Sequence, residues 1–241
     1  MNAPIALKRG VLFVTTPAGG TLLDVASDRF VSLRPLSAAL WSRCVSGSEY
    51  EALIAFIETQ GFDRAKAERV LRLQLQKWDE AGLVNRDDIG KLPVSRPARC
   101  RPSLAFELSQ CRLSVMASAS LIRAERRYKY LLKNLGLART LVQLQNDMEL
   151  KREGDWRMLI SRILRSYHFI RRPFRQGATS SDCLLRSLSL AAVLRKEGLA
   201  AEVCIGIIEM PFESHAWVEW NGYVLNDSVG RVETYTPIAR F

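Results

Sequence analysis

Residues 179–228 read TSSDCLLRSLSLAAVLRKEGLAAEVCIGIIEMPFESHAWVEWNGYVLNDS, and the order of the patterns in them decides the architecture. Leu184, Leu185, Leu188, Ala191, Ala192 and Leu194 recur at helical spacing. Ser180, Ser181 and Asp182 offer oxygens for a helix N-cap, and Gly198 supplies a stop. Cys183 is thereby set in the first turn of a helix. Ala201–Ile208 is rich in branched residues, and His215–Trp220 and Tyr223–Asp227 flank Asn221-Gly222, so a strand followed by a hairpin is predicted. A helix packed on an antiparallel sheet is the expected result.

At a helix start, unpaired N–H groups and the positive end of the macrodipole favour thiolate over thiol, and the same N–H groups can hold an oxyanion. A cysteine nucleophile also needs an imidazole within hydrogen-bond reach and a third group that fixes the ring. Cys183, His215 and Asp227 supply those types. The turn sets a condition. A two-residue Asn221-Gly222 turn pairs Trp220 with Tyr223 and puts Asp227 on the opposite face from His215, which favours Asn226 as the orienting residue. A three-residue turn, Trp220-Asn221-Gly222, puts Asp227 directly across from His215. The triad reading therefore predicts the longer turn. Taken singly, a cysteine is more often a small buried hydrophobe and a strand histidine a structural one. Cys204, inside an apolar strand, reads as core, and His168 as structural or surface.

Upstream, Leu104–Leu135 reads as helix with a break near 114–120, followed by helices at Thr140–Leu150 and Trp156–Tyr167. Residues 91–102, KLPVSRPARCRP, hold three prolines without apolar periodicity and mark a linker. Before it, Val11–Thr15, Thr21–Val25 and Arg29–Leu33 read as short strands, and Leu36–Cys44, Glu49–Gln60 and Ala65–Ala81 as helices, the last with Asp63 at its N-cap. The fold class is α+β. An N-terminal winged helix-turn-helix-like domain over 1–86 is followed by a linker over 87–102 and a C-terminal domain over 103–241, its helices packed on an antiparallel sheet.

Charge separates two uses of the first domain. Residues 1–90 hold 11 Lys/Arg against 11 Asp/Glu, and residues 91–241 hold 24 against 14, so the net charge of +10 lies in the second part. A winged domain without excess cations is poorly suited to DNA phosphates. A short edge strand can instead accept an extended peptide, with pockets from the adjoining helix. Asp28, Arg29, Phe30 and Val31 at the edge, with Leu71 and Leu75 on the third helix, are the expected contacts. The basic stretch 91–175, with 19 Lys/Arg against 6 Asp/Glu, reads as a solvated helical surface or a face that attracts acidic peptide or phosphate.

Five cysteines without CxxC spacing, and two histidines, argue against a disulfide framework and a zinc site, so no metal is expected. No apolar run resembles a signal peptide or a bilayer span, which points to the cytoplasm and away from a membrane.

The helix CLLRSLSLAAVLRKEG, the strand AEVCIGI, the segment PFESHAWVEWNG and the closing VLND resemble the leader peptidase of lasso-peptide biosynthesis, a transglutaminase-like (papain-like) protein often called the B protein. Residues 1–86 look like the recognition element that binds leaders of ribosomally made, modified peptides (RiPPs), here fused. The resemblance implies a hydrolase that binds the leader of a ribosomal precursor peptide and cleaves the leader–core bond. Cys183 matches the nucleophile, His215 the base and Asp227 the orienting acid. It also implies a partner cyclase resembling asparagine synthetase. No phosphate-binding glycine loop is present, so no cofactor is expected and any ATP dependence belongs to the cyclase. Two other readings compete: a transglutaminase-type acyltransferase using the same thiol, and a DNA-binding regulator with no catalytic role.

Overall fold

The protein is described as a computed structural model covering Ile5 and residues 7–84, 112–147, 155–171 and 180–241. It divides into two compact units, Met1–Leu92 and Pro93–Phe241. The linker expected at 87–102 lies outside the described residues.

In the first unit, β1 (Val11–Thr16), β2 (Gly19–Asp24) and β3 (Arg29–Leu33) form an antiparallel meander that leaves β3 at an edge. Three helices follow, α1 (Pro35–Val45), α2 (Tyr50–Glu58) and α3 (Arg64–Glu80). Asp63 caps α3 by accepting the Lys66 N–H at 2.8 Å, satisfying a donor that has no intrahelical partner. Leu22, Trp41, Leu53, Ile57, Leu71 and Trp78 share one core, in which the Trp41 and Trp78 rings meet edge-on at 5.0 Å. Each such side chain contributes about 1.5–3 kcal/mol by leaving water. This is the arrangement of three strands and three helices expected for a winged domain.

In the second unit, α4 (Val115–Asn146), α5 (Trp156–Arg171) and α6 (Ser180–Lys196) precede a four-stranded antiparallel sheet. The strands are β4 (Ala201–Glu209), β5 (Phe212–Trp220), β6 (Tyr223–Val224) and β7 (Thr236–Arg240), in the order β6-β5-β4-β7, with the short helix α7 (Val229–Val232) before β7. α6 packs on both β4 and β5, and α4 packs on α6. Arg195, buried near the end of α6, donates to the carbonyls of Ala201, Leu144 and Phe241 at 2.7, 2.9 and 2.8 Å. Its guanidinium thus satisfies three acceptors from three segments at once, one from each of three nitrogens held in a rigid plane.

Several elements differ from the sequence expectation. The break expected near 114–120 is instead a helix start, with the Ser114 hydroxyl accepting the Ala117 N–H. The interruption falls at Gly136 (φ 73°, ψ 178°), where two helical segments meet within α4, so the separate helix expected from Thr140 is present and already begins just after the kink; its expected last residues, 148–150, lie outside the described residues. The expected portion over 104–111 lies outside the described residues. Pairing of the last hairpin strand stops at Val224 and does not reach Asp227. β7, missing from the sequence reading, pairs with β4 through residues that include Pro237. Proline fits there because β7 is an edge strand.

Candidate active site

α6 delivers the thiol. The helix begins at Ser180, so Cys183 stands in its first turn, half-buried. Ser180, Ser181 and Asp182 are helical residues and not the N-cap expected for them; Asp182 instead approaches Arg186 at 3.7 Å, one turn on. The other described thiols are enclosed. Burial pushes Cys44 up to about 11, and burial with Glu219 nearby raises Cys204 well above an ordinary thiol. Cys204 is fully buried, as expected for core. His168 is exposed on α5 beside the Tyr167 ring.

β5 delivers the imidazole. His215 Nε2–H donates to Asp227 Oδ2 at 2.5 Å, and the ring also hydrogen-bonds the Cys183 side chain. With Nε2 taken by the carboxylate, Nδ1 is the ring nitrogen left for the thiol. Burial alone would lower the imidazole, but the bonds to Asp227 and Cys183 outweigh it and hold the ring up at about 9. Asp227 shows the converse. Burial would raise its carboxyl, yet the donors His215 and the Ser228 N–H (2.8 Å) bring it below the ordinary range. The structure thus brings Cys183, His215 and Asp227 together.

It does so by a route opposite to the expected one. The turn is the two-residue type, with Asn221 (φ 50°) and Gly222 (φ 82°) both left-handed and Trp220 paired with Tyr223. The longer turn is absent, yet Asp227 and not Asn226 meets the imidazole. The reason lies at the next hydrogen-bonded pair. Leu225 N–H donates to Val218 O at 2.9 Å, but the returning bond from Val218 N–H goes to Asn226 Oδ1 at 2.7 Å. A side-chain amide has replaced the backbone carbonyl, the chain leaves the ladder, and the face rule no longer governs Asp227.

Two aromatic rings flank the imidazole. Trp217 is stacked at 6.2 Å and Tyr235 tilted at 5.2 Å between centroids. Gly206, paired with His215 across β4 and β5, makes room for both: a Cβ there would lie 2.8 Å from the Trp217 ring and 2.9 Å from Tyr235 Cβ. An isolated glycine within a strand pattern signals such an approach, and Gly206 carried that signal in the sequence.

Of the expected peptide contacts, Asp28 lies in the β2–β3 turn with φ 50°, and Arg29, Phe30 and Val31 lie on the edge strand. Arg29 reaches back to donate to the Ala81 carbonyl at 2.7 Å. Val31 and Leu75 pack against the same core, whereas Leu71 is fully enclosed within it and offers no surface to a ligand. Leu71 is corrected accordingly to a core residue. Among the described residues no cluster of three His, Cys, Asp or Glu could hold a metal ion, and no helix is long and apolar enough to cross a membrane.

The transglutaminase-like superfamily matches residues 119–240. The microcin J25-processing protein McjB of Escherichia coli is 36% identical over 66 residues, which make up 27% of this chain and 32% of that protein. The chain therefore aligns with about a third of the length of this curated relative. No solved structure matches it. Both similarities support the resemblance to lasso-peptide B proteins drawn from the sequence. Just over half of the sequence is matched, and that half holds the thiol, the imidazole and the carboxylate: the chain belongs to the transglutaminase-like superfamily.

Proposed function

We propose that this protein is a leader peptidase of lasso-peptide maturation, a cysteine hydrolase acting on a ribosomal precursor peptide. The observation that carries the reading is the His215 ring held by Asp227 on one side and Cys183 on the other, in a superfamily member whose curated relative is named a processing protein. In this mechanism the Cys183 thiolate bonds to the carbonyl carbon of the leader–core junction. N–H groups in the first turn of α6 are available to the resulting oxyanion. The C–N bond breaks as the His215 imidazolium gives its proton to the departing core amine. Water then gives a proton to His215 and its oxygen to the acyl carbon, the C–S bond breaks, and the leader leaves as a carboxylate.

The neutral first unit with β3 at its edge supports a leader bound as an added strand, contacted by Asp28, Arg29, Phe30, Val31 and Leu75. A partner cyclase resembling asparagine synthetase would then close the core, with any ATP consumed there.

Cys183→Ala tests the reading directly. Mixed with the precursor encoded beside its gene, it is expected to bind the precursor but release no leader by mass spectrometry. Retained cleavage would remove Cys183 from its role. A leader found joined to an amine, and not as a free carboxylate, would convert the reading to acyl transfer.

A further inference from the structure

The catalytic groups proposed above sit on three separate segments: a helix start, a strand and a loop. Two side chains outside that set join all three. Ser187 lies one turn along α6 from Cys183 and is fully buried. Its hydroxyl donates to the carbonyl of Ala216, the residue after His215, at 3.0 Å. The same oxygen accepts from Asn226 Nδ2 at 3.2 Å, and Asn226 precedes Asp227. Asn226 Oδ1 in turn accepts the Val218 N–H on the His215 strand at 2.7 Å. Each bond therefore lands next to, or one helical turn from, a member of the triad.

From this connectivity we infer that Ser187 and Asn226 are positioning residues for the cysteine chemistry, Asn226 by diverting the chain so that Asp227 reaches His215, and Ser187 by locking the Cys183 helix to that diversion. The alternative, that the two merely satisfy buried polar groups, does not explain why the diverting bond and the helix bond share one carboxamide. A backbone ladder continued past Leu225 would satisfy Val218 without any side chain, and it would carry Asp227 to the wrong face. The Ser187 hydroxyl uses both of its capacities, one on the strand and one on the loop, so neither segment can shift alone without stranding a buried group.

This inference rests on the Cys183–His215–Asp227 reading, and its test separates the two. Ser187→Ala and Asn226→Ala are measured in the full chain, Asn226 being the more exposed and the less prone to fail in folding. The first readout is the rate of iodoacetamide alkylation at Cys183 against pH, followed by peptide mapping so that other thiols do not contribute. The second is cleavage of the neighbouring precursor, resolved into kcat and KM. Positioning predicts a fall in kcat on the order of 10- to 100-fold with KM unchanged, and a Cys183 alkylation profile altered from the parent's, with slower alkylation. A lowered melting temperature with unchanged kcat and an unchanged alkylation profile would reduce the pair to structural residues and overturn the inference alone. Cleavage that survives in Cys183→Ala would overturn the triad reading and this inference with it.

Discussion

His215 and Asp227 hydrogen-bond at 2.5 Å although the β5–β6 ladder, extended by its own register, would place them on opposite faces. The carboxylate reaches the ring after the chain leaves the ladder at Asn226. In the proposed mechanism it fixes the ring so that Nδ1 faces the thiol. Asp227→Ala is expected to lower kcat for precursor cleavage by about 10²- to 10⁴-fold. Asp227→Asn keeps an acceptor for the Nε2–H and should retain more activity than the alanine variant. Parental kcat in both variants would show that orientation by this side chain is unimportant.

The same bond links ionisation to folding. His215 has its folded value raised to about 9 from an ordinary value near 6.5. A raised value means that the stabilisation is fully present below about pH 6.5 and is lost as pH climbs through 9. Asp227, lowered below the ordinary carboxylate value, adds stability above about pH 3.8 that disappears on acidification through its folded value. Urea titrations should show stability declining between pH 6.5 and 9.5 by roughly 1–3 kcal/mol, allowing for solvent screening. Asp227→Ala should flatten that decline. An equally steep slope in the variant would assign the pH dependence to another group.

How much of this was legible in the sequence depends on whether the determinant is local. The start of α6 was, because leucines at helical spacing followed by Gly198 fix a helix regardless of what packs on it. The hairpin was too, since Asn221-Gly222 suits a turn with two left-handed residues. β7 was not: Thr236–Arg240 is short, contains a proline and becomes a strand by pairing with β4, 29 to 36 residues earlier. The interruption at Gly136 was legible too, falling between the helices read as ending at Leu135 and beginning at Thr140, because a glycine there takes a left-handed φ without a Cβ clash. Asp227 meets His215 although the expected longer turn is absent, because a register argument assumes that backbone pairs with backbone. Asn226 breaks that assumption with one side-chain oxygen, and no periodicity reports it.

Packing around the imidazole gives a sharper test of Gly206. Alanine there would bring its Cβ within 2.8 Å of the fully buried Trp217 ring and 2.9 Å of Tyr235. Both neighbours also flank the His215 ring, so a shift of either changes the surroundings of the imidazole. Gly206→Ala should cost about 1–3 kcal/mol of stability and reduce kcat more than it raises KM. The loss of stability is read from denaturant unfolding. A fully stable variant with parental kcat would show that the rings do not confine the imidazole.

The proposed leader-binding edge can be probed without touching the ladder. The two-residue turn between Thr16 and Gly19 and the bond from Val25 N–H to Gly10 O fix which pairs of the meander exchange hydrogen bonds. Alternation then directs the β3 groups of Arg29, Val31 and Leu33 toward β2, and those of Phe30 and Ser32 toward the open side. Proline at exposed Ser32 removes one outward N–H while leaving the pairing with β2 intact, since an edge strand tolerates it. Ser32→Pro should weaken precursor binding about 2- to 10-fold, the worth of one net hydrogen bond, with kcat at saturating precursor unchanged. Titration of a labelled precursor into Cys183→Ala, with and without Ser32→Pro, measures the change. Unaltered affinity would exclude strand addition along β3, whereas a fall in kcat at saturation would mean that the substitution reaches the chemistry by disturbing the fold.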